Sequence, residues 1–130
     1  MTRLFSFPRD RIRVVLLEGI HPGAQAYLVE HGYTNVELVE GSLPKAELAA
    51  MLADAHIVGI RSRTMMDKEL LAKAPKLVAL GCFCIGTNQV SLDEAARLGV
   101  PVFNAPHSNT RSVAELVIGV VSMLPRAIFR

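Results

Sequence analysis

Five short apolar runs, at residues 12–17, 36–39, 57–60, 77–80 and 100–103, recur along this chain. Runs of this length suit strands that are buried on both faces of a sheet. Between them lie stretches with helical punctuation. His21-Pro22 opens one that Gly32 closes, and Ala24, Tyr27, Leu28 and His31 fall at i, i+3, i+4 and i+7. Ser42 and Pro44 open a second, with Leu48, Met51 and Leu52 on one face. Asp67 opens a third, which Pro75 stops. Ser91 with Glu94, and Ser112 with Glu115, have the spacing of capping boxes that open a fourth and a fifth helix. Gly99 is placed to close the fourth, and the fifth runs to about Pro125.

Strands alternating with helices predict an α/β fold with a parallel sheet covered on both faces. Right-handed crossovers leave few topologies, of which a flavodoxin-like, doubly wound, five-stranded sheet in order 2-1-3-4-5 fits best. The 130 residues are about one domain's worth. Residues 1–10 read as a flexible leader ahead of a domain over 11–111. A balance of 14 Lys and Arg against 12 Asp and Glu gives no basic field, which argues against nucleic acid as a partner. No apolar run reaches the roughly 18 residues of a membrane span, and the N-terminus lacks the apolar core of a signal peptide. A cytoplasmic protein with no membrane partner is the expectation. The four histidines show no metal-ligand spacing, so no metal is expected.

The stretch from Val113 to Leu124 reads as apolar almost all round, and such a helix is normally buried on all sides. A five-stranded domain covers only one side of it. The expectation is a helix over 112–130 that belongs to something larger, either a further domain or an oligomeric partner.

In open α/β sheets, ligands bind beyond the carboxyl ends of the strands. Most of the unusual residues of this chain fall there. Arg61, Ser62 and Arg63 follow the third run, and two guanidiniums with a hydroxyl suit a phosphate or a carboxylate. The glycine-bounded segment from Gly81 to Gly86 follows the fourth, where backbone can approach a ligand closely. Asn109 precedes the last helix, and its amide suits a substrate hydroxyl or carboxylate. Cys82 and Cys84 form Cys-x-Cys, a spacing that suits small apolar fillers better than a redox pair. Neither the dinucleotide fingerprint Gly-x-Gly-x-x-Gly nor a phosphate-binding P-loop is present.

Three segments in order carry a family resemblance. They are Ile60-Arg61-Ser62-Arg63-Thr64, Leu80-Gly81-Cys82-Phe83-Cys84-Ile85-Gly86-Thr87-Asn88-Gln89-Val90, and Asn104-Ala105-Pro106-His107-Ser108-Asn109-Thr110-Arg111-Ser112-Val113-Ala114-Glu115. Together they resemble the D-isomer-specific 2-hydroxyacid dehydrogenases, in their bacterial phosphoglycerate-oxidising branch. The resemblance implies a two-domain enzyme whose substrate-binding domain comes first and is interrupted by a nucleotide-binding domain. It implies NAD as cofactor, 3-phosphoglycerate as substrate in serine biosynthesis, and a homo-oligomer. By the same resemblance Arg61, Ser62, Arg63 and Asn109 contact substrate, and Cys84, Ile85 and Gly86 face the substrate and the nicotinamide. The catalytic Arg, Glu and His of the family correspond to later segments. The chain by itself is therefore expected to be inactive, with the last helix crossing between domains. Glu40 departs from the family branch, which carries a Lys there, and Gly81-Cys82-Phe83-Cys84 departs from the Gly-Arg-Ala-Gly of the wider family. The rival reading is a free-standing flavodoxin-like module that binds a small anion without catalysis.

Overall fold

The structure is a computed structural model that describes residues 7–126. Positions 1–6 of the expected leader and 127–130 of the expected last helix lie outside the described residues. Strands β1 (Val14–Leu16), β2 (Val36–Leu38), β3 (Ile57–Ile60), β4 (Ala79–Cys82) and β5 (Val102–Asn104) form one parallel sheet in the order β2-β1-β3-β4-β5. This is the doubly wound order that the alternation predicts. The third run is a strand over its full length, whereas the fourth and fifth strands start two residues later than expected. Leu77 and Val100 are buried, but they pack from the loops, and the hydrogen-bonded ladder begins beyond them.

Helices α1 (Pro22–Glu30), α2 (Lys45–Leu52), α3 (Lys68–Ala72), α4 (Leu92–Arg97) and α5 (Thr110–Met123) fill the connections. Asp67 caps α3 as expected, accepting from the Leu70 amide at 2.9 Å. His21 caps α1 through Nδ1, which accepts from the Gly23 amide at 3.0 Å. Neither capping box forms. Ser91 stands at the N-cap of α4 without a side-chain bond. Its would-be partner Glu94 pairs instead with Arg97, a charged partner that outcompetes a neutral amide. The fifth helix begins at Thr110 rather than Ser112, with Asn109 at its N-cap, and Glu115 pairs with Arg111 one turn back at 2.7 Å.

The core divides across the sheet. Leu48 and Leu52 of α2, Leu70 and Leu71 of α3 and Ala95 of α4 pack on one face with Val15, Val58, Ile60, Leu80 and Cys82. On the other face Val14, Leu16 and Ile20 meet α1 through Ala24 and Leu28. Contrary to the expectation of a sheet covered on both faces, among the described residues nothing covers the far side of that second face, where Phe103 of β5 is 62% exposed. Helix α5 has no buried residue. Leu116 and Ile118 are exposed, and its main packing is against the 3-10 turn Leu124–Arg126 that follows it. Nor is α5 apolar all round: Arg111, Glu115 and Ser122 share one stripe, so the helix is amphipathic with a broad apolar side.

Candidate functional site

Strand β1 ends in two residues with left-handed backbone, Glu18 and Gly19, both at φ 63°. Only glycine adopts this region freely, so Glu18 is strained and held there by its surroundings. The turn folds the chain toward the end of β2: the Glu18 amide donates to the Gly41 carbonyl and the Gly19 amide to the Val39 carbonyl. A side chain on Gly19 would also crowd the Glu40 carbonyl, at 3.3 Å.

This conformation sends the Glu18 carboxylate under the loop that follows β3. Oε1 accepts from the backbone amides of Arg61 at 3.1 Å and Thr64 at 2.8 Å, and Oε2 accepts from the Arg63 amide at 2.9 Å. The Arg61 guanidinium donates back to the Glu18 carbonyl at 3.4 Å. Glu18 is buried. Burial pushes its carboxyl up, but the three loop amides outweigh that and hold it below the ordinary value of 4.5. A charged carboxylate here is thus already satisfied by the loop it supports.

Arg61, Ser62 and Arg63 are exposed above that carboxylate. Together with Glu18, Gly19 and Glu40 they line an open cavity of about 340 Å³ at the carboxyl edge of the sheet. The structure therefore brings three of the four expected substrate contacts to one place. It also brings Glu40, the departure noted in the sequence, into the same wall. Asn109 is exposed at the start of α5, and among the described residues no hydrogen bond joins it to Arg61, Ser62 or Arg63. A neighbouring cavity, lined by Lys45, Arg63 and Asp67 among others, offers less to an anion. Its Lys45 is already paired with Asp67 and Glu69, at 2.7 Å each.

The loop after β4 is stitched to the same site. The Phe83 amide donates to the Ile60 carbonyl at 2.8 Å, and the Ala105 amide to the Cys84 carbonyl at 3.0 Å. Asn104 Nδ2 reaches the Ile85 carbonyl at 2.7 Å. Gln89, buried, donates from Nε2 to the Arg61 carbonyl at 2.8 Å and to Cys84 Sγ and the Gly86 carbonyl at 3.3 Å. The Cys84 thiol lies 3.3 Å from the Gly86 carbonyl, inside this cluster. Ile85 is exposed beside it. Gly81 and Gly59 make room for a ring rather than for an anion: added Cβ atoms would lie 3.4 and 2.9 Å from Phe83 Cε2. Cys82 is buried, and that burial, with Cys84 nearby, raises its thiol to about 11, so it is not a thiolate at neutral pH. Glu18 and Gln89 are the residues to which the sequence assigned no role, although both lie in segments at the carboxyl edge. The only signals were a Glu directly after the apolar stretch 14–17, and the place of Gln89 inside the segment 80–90 that carries the resemblance.

The doubly wound sheet and its polar carboxyl edge define an α/β domain with an open polar cavity beyond its strand ends. The chain belongs to the D-isomer specific 2-hydroxyacid dehydrogenases, whose catalytic domain it matches over residues 14–122. It is 53% identical over 123 residues to a D-3-phosphoglycerate dehydrogenase of Escherichia coli. It is 50% identical over 126 residues to one of Haemophilus influenzae. These alignments take in 95% and 97% of this chain but only 30% and 31% of the relatives, so the chain spans under a third of their length. Among solved structures, a Thermus thermophilus protein superposes with a TM-score of 0.75 at 26% identity, covering 85% of this chain and 35% of that one. The NAD-bound 3-phosphoglycerate dehydrogenase of Entamoeba histolytica shares the fold, with a TM-score of 0.72 at 22% identity over 85% of this chain and 38% of that one.

Proposed function

We propose that this chain is the substrate-binding portion of an NAD-dependent D-3-phosphoglycerate dehydrogenase. In this reading it takes part in oxidising 3-phosphoglycerate to 3-phosphohydroxypyruvate, in the cytoplasm and within a homo-oligomer. The observation that carries the reading is the pair Arg61 and Arg63, presented with Ser62 over a pinned backbone in a chain about half identical to such enzymes.

The chemistry assigned to these residues is recognition. Arg61 and Arg63 pair with the phosphate and carboxylate of the substrate, as planar donors that meet oxyanions in two-point contacts. Ser62 adds a hydroxyl donor. Asn109 is assigned to the carboxylate, reached once substrate and the rest of the enzyme bring α5 and the 61–63 loop around one ligand. Glu40 adds negative charge to the wall, so substrate phosphate is assigned to the two arginines and not to position 40.

The described residues offer NAD no cradle of their own. No glycine-rich turn opens a helix toward the site, and the space over Gly81 is taken by the Phe83 ring. What this chain contributes toward the nicotinamide is the 84–86 loop, where Cys84 and Gly86 fix the backbone and Ile85 presents an apolar surface. Binding of NAD and the hydride and proton transfers are assigned to the part of the relatives beyond the matched stretch. The 130 residues alone then show no NAD-dependent turnover. Helix α5, exposed along its apolar side, crosses to that part.

The reading is tested by replacing the matching stretch of the Escherichia coli enzyme with this chain and following NADH formation. Oxidation of 3-phosphoglycerate is expected, with Arg61→Met raising KM by roughly tenfold or more and affecting kcat less. A soluble hybrid that oxidises other 2-hydroxy acids but not 3-phosphoglycerate would overturn the substrate assignment. One that forms no NADH with any of them would favour a binding module without catalysis.

A further inference from the structure

The Arg61 peptide is gripped on both sides by buried side chains from distant parts of the chain. Its N–H donates to Glu18, 43 residues upstream, and its carbonyl accepts from Gln89, 28 residues downstream. Glu18 and Gln89 are 7% and 4% exposed. Burying a carboxylate and an amide is unfavourable unless their bonds are made, and here the Glu18 bonds go to the 61–64 loop while Gln89 ties that loop, at the Arg61 carbonyl, to the 84–86 loop. Neither side chain caps a helix or joins a strand ladder. Glu18 also holds a left-handed backbone that a glycine would adopt without strain, yet only a side chain with two oxygens can collect the amides of Arg61, Arg63 and Thr64 together.

We infer that Glu18 and Gln89 are positioning residues for anion recognition, fixing the backbone of the 61–63 loop so that Arg61 and Arg63 meet the ligand already in place. This rests on the reading that those two arginines bind the substrate anion. It leads to a result that charge alone contradicts. Taking a negative charge out of the wall of an anion site strengthens anion binding on Coulombic grounds. If Glu18 acts by positioning, Glu18→Gln weakens binding instead, because one carboxylate oxygen becomes an NH2 that faces amide donors.

The test titrates the ¹⁵N-labelled 130-residue chain with 3-phosphoglycerate and follows the amide resonances of residues 61–64. Glu18→Gln is expected to weaken binding on the order of tenfold, the equivalent of one net hydrogen bond to a charged group. Gln89→Met, which keeps the packing and removes only the donor, is expected to weaken it by roughly threefold to tenfold. Leu52→Val, a core change in α2, lowers Tm and leaves the affinity as it was, which separates positioning from loss of stability. If Glu18→Gln does not fold, Gln89→Met carries the test. Binding that is unchanged or tighter in the folded Glu18 or Gln89 variant, while Arg61→Met abolishes it, overturns the inference and leaves the anion reading standing. If the unaltered 130-residue chain shows no shifts, the same variants are read in the hybrid with the remainder of the Escherichia coli enzyme, and no binding there either overturns the anion reading, and the inference with it.

Discussion

The 61–63 loop and helix α5 both lie outside the hydrophobic core, yet they are held in opposite ways. The loop carries exposed, charged side chains, and its backbone is tied down by buried polar groups. The helix satisfies its own backbone and carries exposed Leu116, Val117 and Ile118, and among the described residues its main packing is against the turn that follows it. The loop is finished before a ligand arrives. In the proposed reading the helix acquires a dry side from the remainder of the enzyme. A preorganised loop avoids an ordering cost at the moment of binding, whereas an exposed apolar helix gains stability only on contact.

The largest effect should come from removing the carboxylate under the loop. Glu18→Ala leaves three amides without their acceptor and should lower stability by about 2–4 kcal/mol in denaturant unfolding. The same group gives a pH signature. Its folded pKa lies below the ordinary value of 4.5, so its contribution is present above that value and is lost as pH falls through the folded pKa. The difference in stability between the unaltered chain and Glu18→Gln should therefore shrink as pH falls below 4.5. A difference that stays constant down to pH 2 would mean that the carboxylate is not bound as described.

Gln89→Met should cost about 1 kcal/mol, the value of a net hydrogen bond, and should broaden the Arg61 and Gly86 resonances. On the helix the expectations reverse. Ile118→Glu should change the unfolding free energy by less than about 0.5 kcal/mol, because the side chain touches no core. It should, however, reduce self-association of the 130-residue chain in sedimentation. A strictly monomeric unaltered chain at all concentrations would remove that association. Smallest of all, Arg111→Ala breaks an exposed pair with Glu115 and should cost no more than about 0.5 kcal/mol, falling with added salt.

The apolar runs made the sheet and its order legible: the buried central strands β1 and β3 leave an apolar mark that survives without tertiary knowledge, while the edge strands β2 and β5 turned out only partly buried. Asp67 and Pro22 were legible for the same local reason. The fourth strand was displaced because Leu77 is buried as a loop residue, and burial alone does not tell ladder from loop. The capping boxes failed because Glu94 and Glu115 found arginines on their own helices. Arg61, Ser62 and Arg63 could be found as a charged motif at a strand end. Glu18 and Gln89 could not be assigned a role, since all their partners but the Cys84 thiol are backbone groups, which every residue carries and no motif displays. The amphipathic character of α5 was understated because its polar stripe is spread over three turns.

Amide hydrogen exchange of the unliganded chain tests the central claim most directly, namely that the loop is built in advance of its ligand while α5 waits for a partner. The amides of Arg61, Arg63 and Thr64 should exchange as slowly as those of the central strands, despite the exposure of the Arg61 and Arg63 side chains, and those of α5 should exchange through local opening many times faster. Fast exchange at Arg61, Arg63 and Thr64, with α5 protected to the level of the core, would contradict the account.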